Sequence, residues 1–163
     1  MVNMNQELWL PRKWTFRAHG KQTVFIKKAF ESDSHVLLKA LIWALFLPDY
    51  PNLSVEIQIG ERYKPDLVQM DDRGQPVFWG EAGRVSQRKT QALVKRFRST
   101  HLVFAKWDTS LAPFHKMLLK ATKSIQRAAP VDLISFPGDS RERFIDRDGT
   151  IQIAFEDVAR LRC

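Results

Sequence analysis

Apolar and polar positions alternate weakly in two stretches near the start of the chain, residues 14–18 and 22–27, separated by His19-Gly20-Lys21; this period-two pattern predicts a β-hairpin. Over residues 34–47 the pattern changes. Apolar residues run almost all round a helical cylinder, and Pro48 with Pro51 ends the run. Such a helix buries itself against a sheet. Ser32 or Asp33 supplies its N-cap, which places Glu31 at or just before the first turn. Three short strands are predicted next, at residues 54–58, 66–70 and 76–82, with Asp71-Asp72-Arg73-Gly74 as the turn between the last two.

Residues 86–98 read as an amphipathic helix. Leu93 with Phe97 and Thr90 with Val94 face inward, while Arg88 with Lys95 and Lys89 with Arg96 form two outer basic rows. A strand at 101–107, a second basic helix at 111–127, a strand at 131–136 and a last strand at 150–155 complete the pattern. Short strands flanked by helices, with a hairpin in the centre, predict an α/β fold: a mixed β-sheet covered on both faces. One domain spans residues 1–163, without an internal repeat or linker.

Composition narrows this picture modestly. With 163 residues, 44% hydrophobic, the chain closes a real core and is not disordered. Cys163 is the single cysteine, which excludes a disulfide framework or a cysteine-built metal site and points to a reducing compartment. Residues 1–13 lack a basic head followed by an apolar core, so no signal peptide is expected and the cytoplasm is the expected location. The longest apolar stretch, residues 36–47, is 12 residues long and contains Lys39, too short and too polar for a membrane span.

Charge changes the picture more. The formal net charge of +8 divides into 0 for residues 1–81, +10 for residues 82–131 and −2 for residues 132–163. Within 82–107, Arg84, Arg88, Lys89, Lys95, Arg96, Arg98 and Lys106 have no carboxylate among them. A polyanion such as DNA or RNA is the natural partner of such a surface, since backbone phosphates release counterions on meeting it. A solvated helix face is the plainer alternative.

Asp66 and Glu81 are the charges hardest to explain by packing, because Asp66 opens a mostly apolar strand and Glu81 interrupts an apolar run. With a turn over 71–74, residues pair with index sum 145, so Asp66 lies opposite Trp79 and diagonal to Glu81. Both carboxylates then emerge on one face and bracket a hard divalent cation, with a backbone carbonyl after Glu81 as a further ligand. The alternative is that each pairs with a nearby base: Lys64 for Asp66, Arg84 or Arg88 for Glu81.

Pro65-Asp66, fourteen intervening residues and Glu81-Ala82-Gly83 resemble the PD-(D/E)XK nuclease pattern. The longer frame adds Glu31-Ser32-Asp33 opening a Leu-rich helix, the strand end Trp79-x-Glu81-x-Gly83, and Arg88-Lys89 early in the following helix. Taken in order, these pieces resemble the bacterial YaeQ family. The resemblance implies a restriction-endonuclease-like core with Asp66 and Glu81 as ligands of Mg²⁺ or Mn²⁺ and Glu31 as an assisting acid. The sequence departs from the nuclease pattern at Gly83, where a catalytic Lys is expected. Lys89 is the better stand-in, and Arg88, which does not give up its proton, serves only as a charge stabiliser. Arg84, Lys95, Arg96 and Arg98 are the expected phosphate contacts.

The other features carry less. His19, His35, His101 and His115 show no ligand spacing and are expected in structural or surface roles. Trp43 and Trp79 are expected in the core, whereas Trp9 and Trp14 suit either the core or a stacking surface. Two functions are expected: a metal-dependent nuclease-fold protein that binds nucleic acid and hydrolyses phosphodiester bonds, or a non-catalytic binding or regulatory protein of the same fold, for example a partner of the transcription machinery.

Overall fold

The structure, a computed structural model, describes residues 12–163. Trp9 and all but the end of the segment read for a signal peptide lie outside the described residues. The strands β1 (Lys13–Ala18) and β2 (Lys21–Ile26) pair antiparallel as a sheet of their own. His19 and Gly20 both adopt left-handed backbone in the two-residue turn, the geometry that matches strand twist in a tight hairpin.

Helix α1 (Asp33–Phe46) starts at Ser32, whose hydroxyl accepts the His35 N–H. Its 11 buried residues, from Val36 to Phe46, explain the near-absence of a polar face. The main sheet follows as β3 (Ser54–Val55), β4 (Leu67–Met70), β5 (Pro76–Ala82), β6 (His101–Trp107), β7 (Val131–Phe136) and β8 (Ala159–Arg162), six strands in sequential order. The pairs β5–β6 and β6–β7 are parallel, and the outer pairs are antiparallel. Helices α2 (Gln87–Arg96) and α3 (Ala112–Thr122) are the two parallel crossovers. Successive right-handed crossovers in one direction put both on the same face. There Trp79, Leu102, Phe104 and Leu133 meet Leu93, Phe97 and Leu118. The hairpin and α1 cover the other face, on Leu67, Phe78, Val103 and Ile134. Burial from both sides explains why β5, β6 and β7 are nearly continuous apolar runs.

Four predicted elements differ. The strand expected over 54–58 ends at Val55, because Glu56 turns to a φ of +52°. Helix α3 stops at Thr122 rather than 127, and the freed segment bonds back, Ala128 N–H to the Arg98 carbonyl. The strand expected at 150–155 shrinks to bridges of Thr150 with Arg17 and Ile151 with Ile145, after a short helix α4 (Ser140–Phe144). The sheet edge goes instead to β8, whose Arg160 and Arg162 both reach Asp132 of β7. The fourth difference is register. A shift between Gln69 and Met70 moves the β4–β5 pairing to index sum 147, Leu67 with Gly80 and Val68 with Trp79, so the pairing of Asp66 with Trp79 is corrected.

Candidate functional site

The parallel strands β5 and β6 end side by side at Ala82 and Trp107, and a cleft of about 900 Å³ opens beyond them against the start of α1. Ligand sites of open α/β sheets lie in this position, outside the carboxyl ends of the strands. Glu31, His35, Glu56, Asp66, Arg84 and Lys106 line it.

Three acids on the cleft floor are held by cations of the protein itself. Glu31 precedes the N-cap of α1, and its Oε2 accepts from Lys39 Nζ at 2.5 Å and from His35 Nδ1 at 2.5 Å, while Oε1 accepts the Lys28 N–H. Burial pushes the Glu31 carboxyl up, but Lys39, the Lys28 N–H and His35 together hold it below the usual range. Lys39 is fully buried and also donates to Glu56 Oε1 at 2.5 Å. Asp66 Oδ2 accepts the Ala82 N–H at 2.8 Å and stands 3.8 Å from His35 Nε2, an ion-pair separation. Burial raises the Asp66 carboxyl, and His35, the Ala82 N–H and the charge of Lys39 overcome this and lower it.

His35 is the centre of this arrangement. Nδ1 faces the Glu31 carboxylate and Nε2 faces the Ala82 carbonyl at 3.1 Å, so both ring nitrogens meet acceptors and both donate. That is the bonding pattern of an imidazolium. Asp66 beside the ring raises its pKa against the opposing effect of burial.

Glu81 is set apart from the cleft. It shares a side of β5 with Trp79, is 3% exposed, and its Oε1 accepts from Trp79 Nε1 at 2.8 Å and from Lys89 Nζ at 2.8 Å. Burial and the charge of Asp66 push its carboxyl up to about 7, against the pull of Lys89. A folded-state value above the unfolded one means the native protein holds the proton longer, so ionising Glu81 weakens the fold as pH rises from the ordinary carboxylate range through about 7. Urea unfolding at pH 5 and pH 8 is expected to show Glu81→Gln gaining on the wild type by roughly 2 kcal/mol between the two. Parallel stability curves for the two proteins contradict that ionisation.

A divalent cation needs free oxygens from Asp66, Glu81 and the Ala82 carbonyl converging on one point. Glu81 is bonded to Trp79 and Lys89 and does not line the cleft, and the Ala82 carbonyl already accepts from His35. Among the described residues no group of three or more His, Cys, Asp or Glu side chains converges to hold an ion. As arranged, these residues do not fit Mg²⁺ or Mn²⁺. The bases that pair with the two acids are His35 and Lys89 rather than Lys64, Arg84 or Arg88. Gly83 has a φ of +83°, so the residue standing where a catalytic Lys is expected occupies a backbone conformation that a side chain strains.

The basic residues divide in the same way. Arg84, Arg88, Lys95 and Arg98 are exposed, and none of their side chains has an ion pair among the described residues. Arg96 is exposed too, and its guanidinium forms a two-pronged pair with Glu61 at 2.9 and 3.0 Å. Arg127 closes the end of α2 by donating to the carbonyls of Val94, Phe97 and Thr100, so the basic surface stops short of it. Lys106 Nζ donates to the Gly83 carbonyl at 2.6 Å and lines the cleft beside Arg84. Burial and then the charge of Arg84 lower its pKa.

Trp14, Trp43 and Trp79 are buried in the core. His19 donates to the Ala44 carbonyl, and His101 is held between Tyr50 and Asp132. Sequence reasoning passed over His35, Lys39 and Lys106 as site residues. A signal for the first two was present, because His35 and Lys39, four apart on one side of α1, continue the spacing from Glu31 just before its N-cap.

These elements define a mixed α/β protein, a six-stranded sheet flanked by helices with its cleft at the carboxyl ends of two parallel strands. This is the fold of the YaeQ proteins. The YaeQ protein of Xanthomonas axonopodis pv. citri superposes with a TM-score of 0.59 at 18% identity, covering 92% of this chain and 93% of that one. The YaeQ protein of Pseudomonas syringae gives 0.58 at 13% identity, covering 87% of this chain and 82% of that one. No protein-family model matches the sequence, and no curated protein matches it significantly. Among the described residues no helix is long and apolar enough to cross a membrane.

Proposed function

We propose that this chain is a YaeQ-like, PD-(D/E)XK-type protein that binds nucleic acid without cutting it, acting in the cytoplasm as a binding or regulatory protein. One observation carries the reading: among the described residues Arg84, Arg88, Lys95 and Arg98 stand exposed without an ion pair along the segment from the cleft to the end of α2, while each acid at the cleft lies against a cation of the protein, Lys39 shared by Glu31 and Glu56 and His35 shared by Glu31 and Asp66. Phosphates bind the first group, and in the second the carboxylate oxygens are already engaged by cations and N–H groups of the protein. The competing reading, a Mg²⁺- or Mn²⁺-dependent phosphodiester hydrolase, draws support from the Lys89 ammonium lying on Glu81, where the resemblance asks for a stand-in cation.

The test is fluorescence anisotropy with labelled DNA and RNA 15-mers against salt concentration. Four phosphate contacts give a slope of log affinity on log salt of about −3 for a single strand. The triple variant Arg84→Glu, Arg88→Glu, Lys95→Glu is expected to lose at least about tenfold in affinity at low salt. No cleavage is expected with Mg²⁺ or Mn²⁺. Cleavage that disappears in Asp66→Ala establishes the hydrolase instead, and undetectable binding at low salt redirects the search to a protein partner.

A further inference from the structure

Phe30 is the most exposed large apolar side chain among the described residues, in the loop between β2 and α1 that forms one lip of the cleft. Lys28 lies beside it on the same lip, and Arg84, Lys106 and Trp107 line the cleft with it. Glu31, Glu56 and Asp66 are engaged from within by Lys39 and His35, and Arg84 and Lys106 are cleft cations with no ion pair among the described residues. A bare phenyl face next to unanswered cations is the pairing that single strands use, with stacking on the ring and phosphates on the bases.

We propose that the mouth of this cleft takes one unpaired nucleotide of a single-stranded nucleic acid, its base stacked on Phe30 and its phosphate held by Arg84 and Lys106. The proposal rests on the nucleic-acid reading above and specifies its substrate as unpaired strand, since a base inside a duplex offers no free face to a side chain. Lys106 is anchored on the Gly83 carbonyl, so it meets the phosphate from a fixed position, whereas Arg84 is free to adjust. Phe30 is fully exposed, so its replacement leaves the core untouched.

Anisotropy with four labelled probes decides it: dT15, U15, a 15-unit abasic phosphodiester chain and a 15-base-pair duplex. The expected result is that dT15 and U15 bind about tenfold more tightly than the abasic chain. Phe30→Ala brings the base-bearing strands down to the abasic level, and Phe30→Trp restores their advantage. Equal affinity for dT15 and the abasic chain overturns the stacking proposal while leaving the nucleic-acid reading intact, as does an undiminished preference in Phe30→Ala. Failure of all four probes to bind at low salt removes both. A duplex bound more tightly than dT15 also overturns the proposal.

Discussion

Asp132→Ala is expected to lower the unfolding free energy at pH 7 by about 3–5 kcal/mol, the cost of removing one member of a buried ionic network. Asp132 is fully buried on β7, and its two oxygens accept from His101 Nε2 at 2.6 Å, Arg160 at 3.0 Å and Arg162 at 2.9 Å twice over. Without the carboxylate, His101 keeps only the Tyr50 hydroxyl and β8 loses the side chain that holds both its arginines against β7. The pH dependence has a definite sign. Burial raises the Asp132 carboxyl, but His101, Arg162 and Arg160 outweigh it and hold it far below the ordinary carboxylate range. A depressed folded-state value gives stability that is complete above the unfolded value and is lost as pH falls through and below that value. Denaturant titrations of wild type and variant are therefore expected to differ most at neutral pH and to converge in acid. A difference under about 0.5 kcal/mol at pH 7 is the range of an ordinary surface substitution and contradicts the network.

Lys39→Met is expected to destabilise the protein by about 3 kcal/mol, although methionine is apolar and of similar length. An ammonium in a core is costly to desolvate, so its replacement by a hydrophobe is ordinarily tolerated. Here it carries two carboxylates. Glu31 retains His35 and the Lys28 N–H, but Glu56 is left with Lys28 Nζ at 4.0 Å. Adding Glu31→Gln and Glu56→Gln to Lys39→Met is expected to recover most of the loss, since the buried negative charge then goes as well. Thermal melts of the single and triple variants measure this, and a triple variant no better than the single one refutes the charge argument. The same comparison shows whether the cleft floor depends on the lysine, because Glu56 is held at a φ of +52° with its N–H on the Asp66 carbonyl.

The parts of the fold written in local pattern were legible. The strands at 76–82, 101–107 and 131–136 match their predicted bounds, because β-rich apolar runs closed by turn residues specify a strand wherever it is placed. The two-faced helix at 87–96 was legible for the same reason, with Thr90, Leu93 and Val94 buried. The last strand was not. Residues 150–155 alternate as well as any strand, yet the place beside β7 went to Ala159–Arg162 because two arginines there answer a buried aspartate 28 and 30 residues away. The candidate site shows the same division. Arg84, Asp66 and Glu31 come to the cleft, but the bonds of Glu81 to Lys89 and Trp79, which spacing does not show, take up one of the two acids that spacing had joined.

By itself the sequence determined the alternation of strands and helices, the burial of α1 and the concentration of positive charge between residues 82 and 131. These depend on which residue types recur at which interval. Only the tertiary structure decided which charges remain available. Whether Arg96, Arg127 or Lys106 is free or spent depends on acceptors that lie far along the chain and arrive through space, and pairing energy falls off with distance between atoms, not between positions in a sequence.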